Sequence, residues 1–393
     1  MLTLQHTLRD FLTIVNMCYN RSMKLTAKMK LQPTDAQADG LKRTLEVANA
    51  ACDYISTVAW DSHTFGKFQL QKLVYADVRA SFELTAQVVI RCIAKVTDAY
   101  KIDRKTKRTF RPLGSIAFDS RILSWKLDKS EISIWTVDGR QKMPFVAHAR
   151  ARELLSGQRG ESDLCLIEGV FYLLTSCEVA EPSPSDVDDF LGVDLGIANI
   201  AVDSDGSVFQ GKSVKNVRFR HRKLRSKLQS KGTKSSRRRL KRLSGKERKF
   251  ATWTNHNISK GIVAKAKDTG RGIAVEDLTH IRERVTGRRS QRATLHSWSF
   301  AQLRSFLTYK AQLNGVPLVA VDPRNTSRTC PSCGHIDKAN RKTQDAFLCV
   351  VCGFSGLADH IAAVNIRSRA IVNWPNVSAA QLIVQSQGQA PCL

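Results

Sequence analysis

The sequence predicts two folds in series: a β-rich domain interrupted by helices, then an α/β domain that carries a cysteine knuckle. Three observations predict it. Apolar residues repeat at helical spacing over residues 34–109 and then change to a period of two from about residue 110. A proline- and serine-rich linker, Glu181-Pro-Ser-Pro-Ser185, marks the main boundary, and beyond it short apolar strands alternate with helical segments. Two CxxC pairs, Cys330/Cys333 and Cys349/Cys352, stand near the C-terminus with 15 residues between them.

Residues 1–33 are an N-terminal segment ending in a strand, Lys24 to Leu31, and Met23 competes with Met1 as the true start. Thr34-Asp-Ala-Gln37 reads as a capping box ahead of the stripe Leu41, Leu45, Ala48, Cys52, Ile55 and Ala59. Val89, Ile93, Val96 and Tyr100 give a second stripe, so residues 34–109 form a helical lobe. Over 110–183 the chain returns to β-structure: Leu123, Trp125 and Leu127, then Ile132 and Ile134, alternate with polar neighbours before an Asp138-Gly139 turn. The next domain spans 187–326. Its strands are Phe190 to Asp194, Ile200 to Asp203, Arg271 to Val275 and Pro317 to Val321, with Asp205-Gly206 turning into Ser207-Val-Phe. A knuckle over 327–354, a last segment of the α/β domain over 355–372 and a flexible tail over 373–393 complete the chain.

The charge is +27, from 62 Lys+Arg against 35 Asp+Glu, and it is unevenly spread. Residues 211–250 alone hold 18 Lys/Arg and one acid, Glu247, a net +17. Such an excess calls for a polyanion. No apolar run approaches a membrane span and the N-terminus lacks a signal-peptide layout, so nucleic acid is preferred to a membrane surface. Within the basic segment, Val217, Leu224 and Leu228 make one sparse stripe and Leu240, Leu243 and Phe250 another, separated by Lys231-Gly232-Thr233. The expected structure is a helical hairpin over 211–250, docked on the core by those stripes. Arg218, Arg220, Arg222, Lys223, Arg225, Lys227, Arg237, Arg238, Arg239, Lys241 and Arg242 would project outward to nucleic-acid phosphates. A merely solvated face with so few acids would repel itself. Arg282, Arg284, Arg288, Arg289 and Arg292 lie in a segment poor in apolar residues, either a lid over a cleft or a plain surface loop.

The paired cysteines are each followed by a glycine, Gly334 and Gly353. This pattern fits four thiolates around one structural zinc ion, with no open position for catalysis, better than redox chemistry. The other six cysteines, Cys18, Cys52, Cys92, Cys165, Cys177 and Cys392, show no pattern, as in a chain kept in a reducing cytoplasm.

Three acids sit where a metal could be held. Asp194 lies between Gly192 and Gly196 at the end of an apolar strand, where small neighbours would let a metal and a phosphate approach the backbone. Glu276 ends the strand Ile273-Ala-Val, and Asp359 begins a helix rich in small residues. Singly, each has an ordinary reading: a strand terminator, a solvated acid and a helix cap. Together they could hold two Mg²⁺ ions for phosphodiester hydrolysis. Asp322, before Pro323, is a weaker fourth acid, and His256 reads as a structural histidine on a core-facing helix.

The order of these motifs resembles the transposon-encoded RNA-guided endonucleases of the TnpB type, related to the compact type V CRISPR effectors. The resemblance covers roughly residues 187–370. Its matching residues are Gly192-Val-Asp194-Leu-Gly196-Ile-Ala-Asn-Ile, Ala274-Val-Glu276-Asp-Leu278, Thr326-Ser-Arg-Thr-Cys330-Pro-Ser-Cys333-Gly334, Cys349-Val-Val-Cys352-Gly353 and Asp359-His-Ile-Ala-Ala-Val-Asn365-Ile366. It implies a RuvC-like nuclease of RNase H fold with Asp194, Glu276 and Asp359 as catalytic acids. It also implies a wedge-like β-barrel with a helical recognition lobe in the N-terminal half, and guide RNA and target DNA as partners. One departure stands out: the family usually has Asn two residues after the last acid, and this chain has Ile361. A non-cleaving RNA-guided DNA-binding repressor and a strand-transfer transposase are the competing readings. The three intact acids disfavour the first, and the lack of a transposon-end-binding domain disfavours the second. The oligomeric state is not legible.

Overall fold

The computed structural model describes residues 22–278 and 300–374. The chain divides after Ala180 into two compact units, at the start of the proline-rich linker.

The N-terminal unit is built on β1 (Ser22–Leu31), from which the chain leaves through three helices, α1 (Asp35–Asp61), α2 (Lys67–Ser81) and α3 (Ala86–Ile102). It returns as β2 (Ile116–Phe118), β3 (Leu123–Lys126), β4 (Glu131–Thr136), β5 (Gly139–Val146), a short helix α4 (Ala149–Leu155), β6 (Gln158–Ile167) and β7 (Val170–Ala180). The strands form one antiparallel sheet in the order β2-β6-β7-β1-β5-β4-β3. Among the described residues the outer strands β2 and β3 do not pair, so the expected barrel is nearly closed rather than closed. The Thr34/Gln37 capping box forms in both directions, with each side chain accepting from the other's amide. Both apolar stripes are buried, from Leu41 to Ala59 and from Val89 to Tyr100. Buried Asn49 donates to the carbonyls of Pro112 and Gly114, fastening the returning chain to α1. Leu127 departs from the alternating pattern. It falls beyond the end of β3 and is exposed, because the turn to β4 begins there.

The second unit has a five-stranded sheet: β8 (Phe190–Asp194), β9 (Asn199–Asp203), β10 (Val208–Gln210), β11 (Gly272–Glu276) and β12 (Leu318–Val321). Its order is β10-β9-β8-β11-β12, antiparallel on the β9/β10 side and parallel from β8 to β12. Between β10 and β11 run two long helices, α5 (Lys212–Lys231) and α6 (Lys234–Asp268). Then come α7 (Phe300–Leu313) before β12 and α8 (Ala358–Asn373) at the end. Strand parity sorts the core into two layers. Leu191, Val193, Ile273 and Val275 face a cluster with Ile258, Ile262 and Val263 of α6 and Leu303 and Leu307 of α7. Phe190, Ala274, Val319 and Val321 face the opposite way, onto Ile366 and Ala370 of α8. Near-continuous apolar strands follow from burial on both faces.

Helix α8 lies directly on β8. A Cβ at Gly192 would stand 2.1 Å from the Ala363 carbonyl oxygen and 2.7 Å from the Arg367 nitrogen, and one at Gly196 would stand 2.7 Å from the Asn199 carbonyl oxygen. These glycines therefore serve helix packing and a tight turn, which corrects the expectation that they clear space for metal and phosphate. A bidentate Arg367–Asp189 pair, 2.7 Å for each bond, fixes the same helix at the start of β8.

The basic hairpin also departs from expectation. Its second helix does not end near residue 250 but continues to Asp268, because Ile258, Ile262, Val263 and Ala266 carry the apolar stripe on into the core. That end and Val214 dock the hairpin. Leu228 and Leu243 are buried outside the sheet's core cluster, where α5 packs along α6, and so close the hairpin on itself, while Phe250 at the end of the second stripe packs against the core as expected.

Candidate active site and metal centre

Parity places the first two acids. Asp194 continues the series Phe190, Gly192 and Glu276 continues Ala274, so both side chains lie on the α8 face. The parallel register pairs Val193 with Val275, which makes Asp194 and Glu276 neighbours at the carboxyl ends of adjacent strands. Asp359 comes from the first turn of α8, whose cap is Leu357, so Asp359 is not the cap itself. The three charges feel one another. Burial, then the negative charges of Glu276 and Asp359, push Asp194 up to about 7. Burial also raises Glu276, against the opposing pull of the Thr326 hydroxyl, Arg369 and Arg341.

Neighbouring side chains orient the acids. Asn199, at the start of β9, donates to one Asp359 oxygen at 3.0 Å, and Arg341 donates to the other at 3.3 Å. The Thr326 hydroxyl donates to Glu276. Asn365, buried on α8, donates to the carbonyls of Thr326 and Thr329, both at 2.8 Å. His360 contacts the Ser204 carbonyl at 3.1 Å, and a cavity of about 230 Å³ opens beside Asp359, lined in part by Asn199, Asp345 and His360. Asp322 raises Glu276 through its charge, while its carbonyl accepts from Arg369. Asn199, Thr326 and Asn365 stand inside the quoted motifs without an assigned role, and Arg341 has no signal in the sequence at all. Ile361 points away from the acids, into an apolar cluster with Cys330, Phe347, Cys349 and Ala358.

The four cysteines converge. Their sulfurs all lie within 4.8 Å of one another, with Cys330–Cys352 and Cys333–Cys349 each at 3.6 Å. A zinc ion about 2.3 Å from each thiolate requires tetrahedral edges of about 3.8 Å, so the cluster fits that ion closely. Each knuckle closes on its glycine: Gly334 N–H donates to Cys330 C=O and Gly353 N–H to Cys349 C=O, with both glycines at φ +73°. The Cys352 and Val351 amides pull the Cys349 thiol down to about 6. Asn340, fully buried, joins the two halves by donating to the Arg328 and His335 carbonyls and accepting from Val350 N–H. Its neighbour Arg341 is thereby delivered to Asp359. Among the described residues the four cysteines are the group of metal-ligating side chains gathered closely enough to hold one ion.

Of the expected nucleic-acid residues, Arg220, Arg222, Lys223, Lys227, Arg237, Arg238, Arg239, Lys241 and Arg242 are exposed on the hairpin. Arg218 and Arg225 do not project freely. Arg225 donates to Glu247 at 2.7 Å, and Arg218 is half-buried beside the same carboxylate, because the segment's one acid turns those residues inward. His256 packs on Phe306 at 4.4 Å between ring centroids, and burial lowers its pKa. Arg282, Arg284, Arg288, Arg289 and Arg292 lie outside the described residues.

Residues 175–281 match the family described as "Probable transposase", and residues 300–366 match the family described as "Cas12f1-like, TNB domain". The chain is 39% identical over 128 residues to the CRISPR-associated endodeoxyribonuclease Cas12f1 of Sulfoacidibacillus thermotolerans, covering 32% of this chain and 29% of that protein. It is 29% identical over 196 residues to the TnpB-like protein MJ0751 of Methanocaldococcus jannaschii, covering 47% of this chain and 70% of that one. The chain spans about a third of the length of the first CRISPR-associated relatives it matches. In three dimensions it is similar to a protein solved by cryo-EM as a Cas12f1-sgRNA-target DNA complex, with a TM-score of 0.57, 15% identity, and coverage of 84% of this chain and 82% of that one. That likeness is one of fold.

Proposed function

We propose that this chain, which belongs to the TnpB family, is a divalent-metal-dependent DNA endonuclease that takes its target from a bound RNA. The observation that carries the reading is the convergence of Asp194, Glu276 and Asp359 from two adjacent parallel strands and the helix laid across them. The order of the five strands, with its antiparallel side and parallel side, supports a RuvC-like RNase H fold.

The donor set fits magnesium. Three carboxylates are hard oxygen ligands, and burial together with their mutual repulsion, which raises Asp194 to about 7, would be offset by divalent charge. When bound, Mg²⁺ supplies a hydroxide nucleophile at neutral pH and charge to stabilise the leaving oxygen of a phosphodiester. The chain's own residues prepare the site: Thr326 holds Glu276, while Asn199 and Arg341 hold the two oxygens of Asp359. The four cysteines would hold one structural zinc ion, which would brace the loop from which Arg341 reaches Asp359.

Guide RNA and target DNA are the partners that this reading requires, with base pairing selecting the target and the protein reading a short flanking duplex. The exposed cations of the hairpin support phosphate contacts. Within the described residues no helix is long and apolar enough to cross a membrane. The deciding experiment sequences the RNA that copurifies with the protein through a high-salt wash, then exchanges its 3′ segment. A discrete RNA with a uniform 5′ region and cleavage redirected to the newly complementary DNA is expected. Heterogeneous, salt-labile RNA with cleavage indifferent to added guides rejects the reading.

A further inference from the structure

A row of side chains crosses the second sheet at the level of the acids. Val208 of β10 pairs with Val202 of β9, and Val202 pairs with Asp194 of β8, itself beside Glu276 of β11. Directly paired residues share a face, so all four side chains stand on the side where α8 lies. Their sequence neighbours agree. Asp203 turns the other way to meet Lys265 of α6 at 2.7 Å, and Phe209 packs against the cluster that holds α6. Adjacent strands are about 4.8 Å apart, so the two valines extend the row sideways from Asp194 by roughly 5 and 10 Å.

The cavity of about 230 Å³ beside Asp359 opens over this row. Val202, Val208 and Leu357, the cap of α8, give it apolar walls, and Asp345 adds a polar edge from the knuckle side. Its size is decisive. It exceeds by far the share of one water, about 30 Å³, and falls short of the roughly 300–1,000 Å³ of a drug-sized site, so it admits one small ring system. Two of its apolar side chains stay largely in the open, with Val208 44% and Leu357 64% exposed. No Lys or Arg lines it, whereas Asp345 and Asp359 do, so a phosphate is repelled from its interior.

We propose that this cavity seats the base of the nucleotide that adjoins the phosphate being cut. This rests on the reading of Asp194, Glu276 and Asp359 as a nuclease site, and it deepens that reading by naming what lies beside the reacting phosphate. A strand whose phosphate sits at the acids carries its next nucleoside sideways, where the row continues as Val202 and Val208. An uncharged ring suits apolar walls with one polar edge, and it brings no phosphate against Asp345. A base held in a duplex cannot enter a cavity of this size, so the strand must arrive with that base unpaired or flipped out. A cationic side chain of a partner protein would also meet the two acids, but such an occupant is indifferent to the bases of the target.

The test has two arms, both on the full-length chain. In the first, the protein with its copurified RNA cuts matched DNA targets in Mg²⁺, each with one abasic nucleotide in the strand that the RNA does not pair. Removing the base at one position next to the cut should slow cleavage by about 10- to 100-fold, with its neighbours little affected. Val208→Asp, at an edge position already open to solvent, should slow cutting of the intact target by a similar factor and erase the difference between intact and abasic targets. Val208→Ile should keep both the rate and the difference, and circular dichroism checks that each variant is folded. The second arm needs neither guide nor cutting. A single-stranded oligonucleotide with one 4-thiothymidine, bound in Ca²⁺, should photo-crosslink to residues 202–208 or 345–357 in the parent and lose most of that product in Val208→Asp. A flat abasic profile, an abasic effect that survives Val208→Asp, or no crosslink to these segments overturns the pocket, and cutting that continues in those cases leaves the nuclease reading standing. Crosslinking at these segments in a protein that never cuts supports the pocket and rejects the nuclease reading.

Discussion

The side-chain amide of Asn365 donates to the backbone carbonyl of Thr326 at 2.8 Å, and the Thr326 hydroxyl in turn donates to Glu276. Asn365 lies on the helix whose first turn carries Asp359, and its second bond, to Thr329, ends one residue before Cys330. Three parts of the proposed site, two acids and the knuckle, are thus fastened through one buried amide. Asn365→Ala leaves two carbonyls without their donor and should cost about 1–3 kcal/mol of stability, read from thermal melts. Thr326→Val should lower metal affinity or cleavage by about 10- to 100-fold, with Thr326→Ser restoring it, as expected for a group that orients a ligand.

Replacing Asp194, Glu276 or Asp359 by Ala should abolish cleavage while RNA and target binding persist. On the proposed reading the carboxylates would hold metal, whereas affinity for nucleic acid would come from Lys and Arg. Paired cleavage and gel-shift assays separate the two effects. Three variants that cut like the parent would remove these acids from the chemistry.

The raised Asp194 gives a pH dependence with a definite sign. Its folded value, about 7, lies above the ordinary aspartate value of 3.8, so between those values the folded state binds the extra proton. Stability of the metal-free protein therefore falls as pH rises from about 4 to 7 and then levels off. Asp194→Asn removes that penalty. It should be more stable than the parent by about 1–3 kcal/mol at pH 8 and nearly equal at pH 4, in melts with chelator present. An equal difference at both pH values would mean that ionisation of Asp194 is not the cause.

Local patterns carried much of this in the sequence. The Thr34/Gln37 box, the buried stripes of α1 and α3 and the four core strands are all marked by period or capping chemistry within a few residues. Asp194 and Glu276 were visible because an acid at the end of an apolar strand is conspicuous. The groups that orient them were not. Asn199 reaches Asp359 across 160 residues, and Thr326 reaches Glu276 across 50, distances over which no periodicity operates. A glycine two residues before an acid suggests an approaching ligand, whereas the group that approaches Gly192 is the backbone of α8. The inward turn of Arg218 and Arg225 is not legible in the sequence, because one Glu247 in a basic run gives no hint of which cations it draws in.

That reading of Gly192 is itself testable. An Ala Cβ would meet the Ala363 carbonyl at 2.1 Å, and backbone cannot swing aside as a flexible side chain can. Gly192→Ala should lift α8 from β8, costing about 1–3 kcal/mol or more as an overpacked contact. It should also raise hydrogen exchange along residues 358–373 and weaken metal binding, because Asp359 moves with the helix. Gly139→Ala, at a φ of +88° but with open space around it, is the control in the other unit and should leave metal binding unchanged.

The knuckle should hold one zinc ion per chain, and its loss should reach the acids by two routes. Cys330 and Cys349 share an apolar cluster with Ile361 and Ala358, which begins the helix bearing Asp359. Asn340, which bridges the knuckles, adjoins Arg341, which contacts Asp359. Cys349→Ser removes a thiolate whose bond to the proposed zinc would support both routes. It should therefore lower zinc content measured by elemental analysis, raise hydrogen exchange over residues 340–363 and reduce cleavage, while leaving hydrogen exchange in the N-terminal unit unchanged. Ile361→Ala, which empties part of the apolar cluster without touching a ligand, should keep full zinc content yet loosen the start of α8, costing about 2–5 kcal/mol. The pair separates the roles: if the serine variant lost zinc with no change in exchange around Asp359, the knuckle would not be supporting the acids. Protein purified without chelator and free of zinc would reject the metal itself.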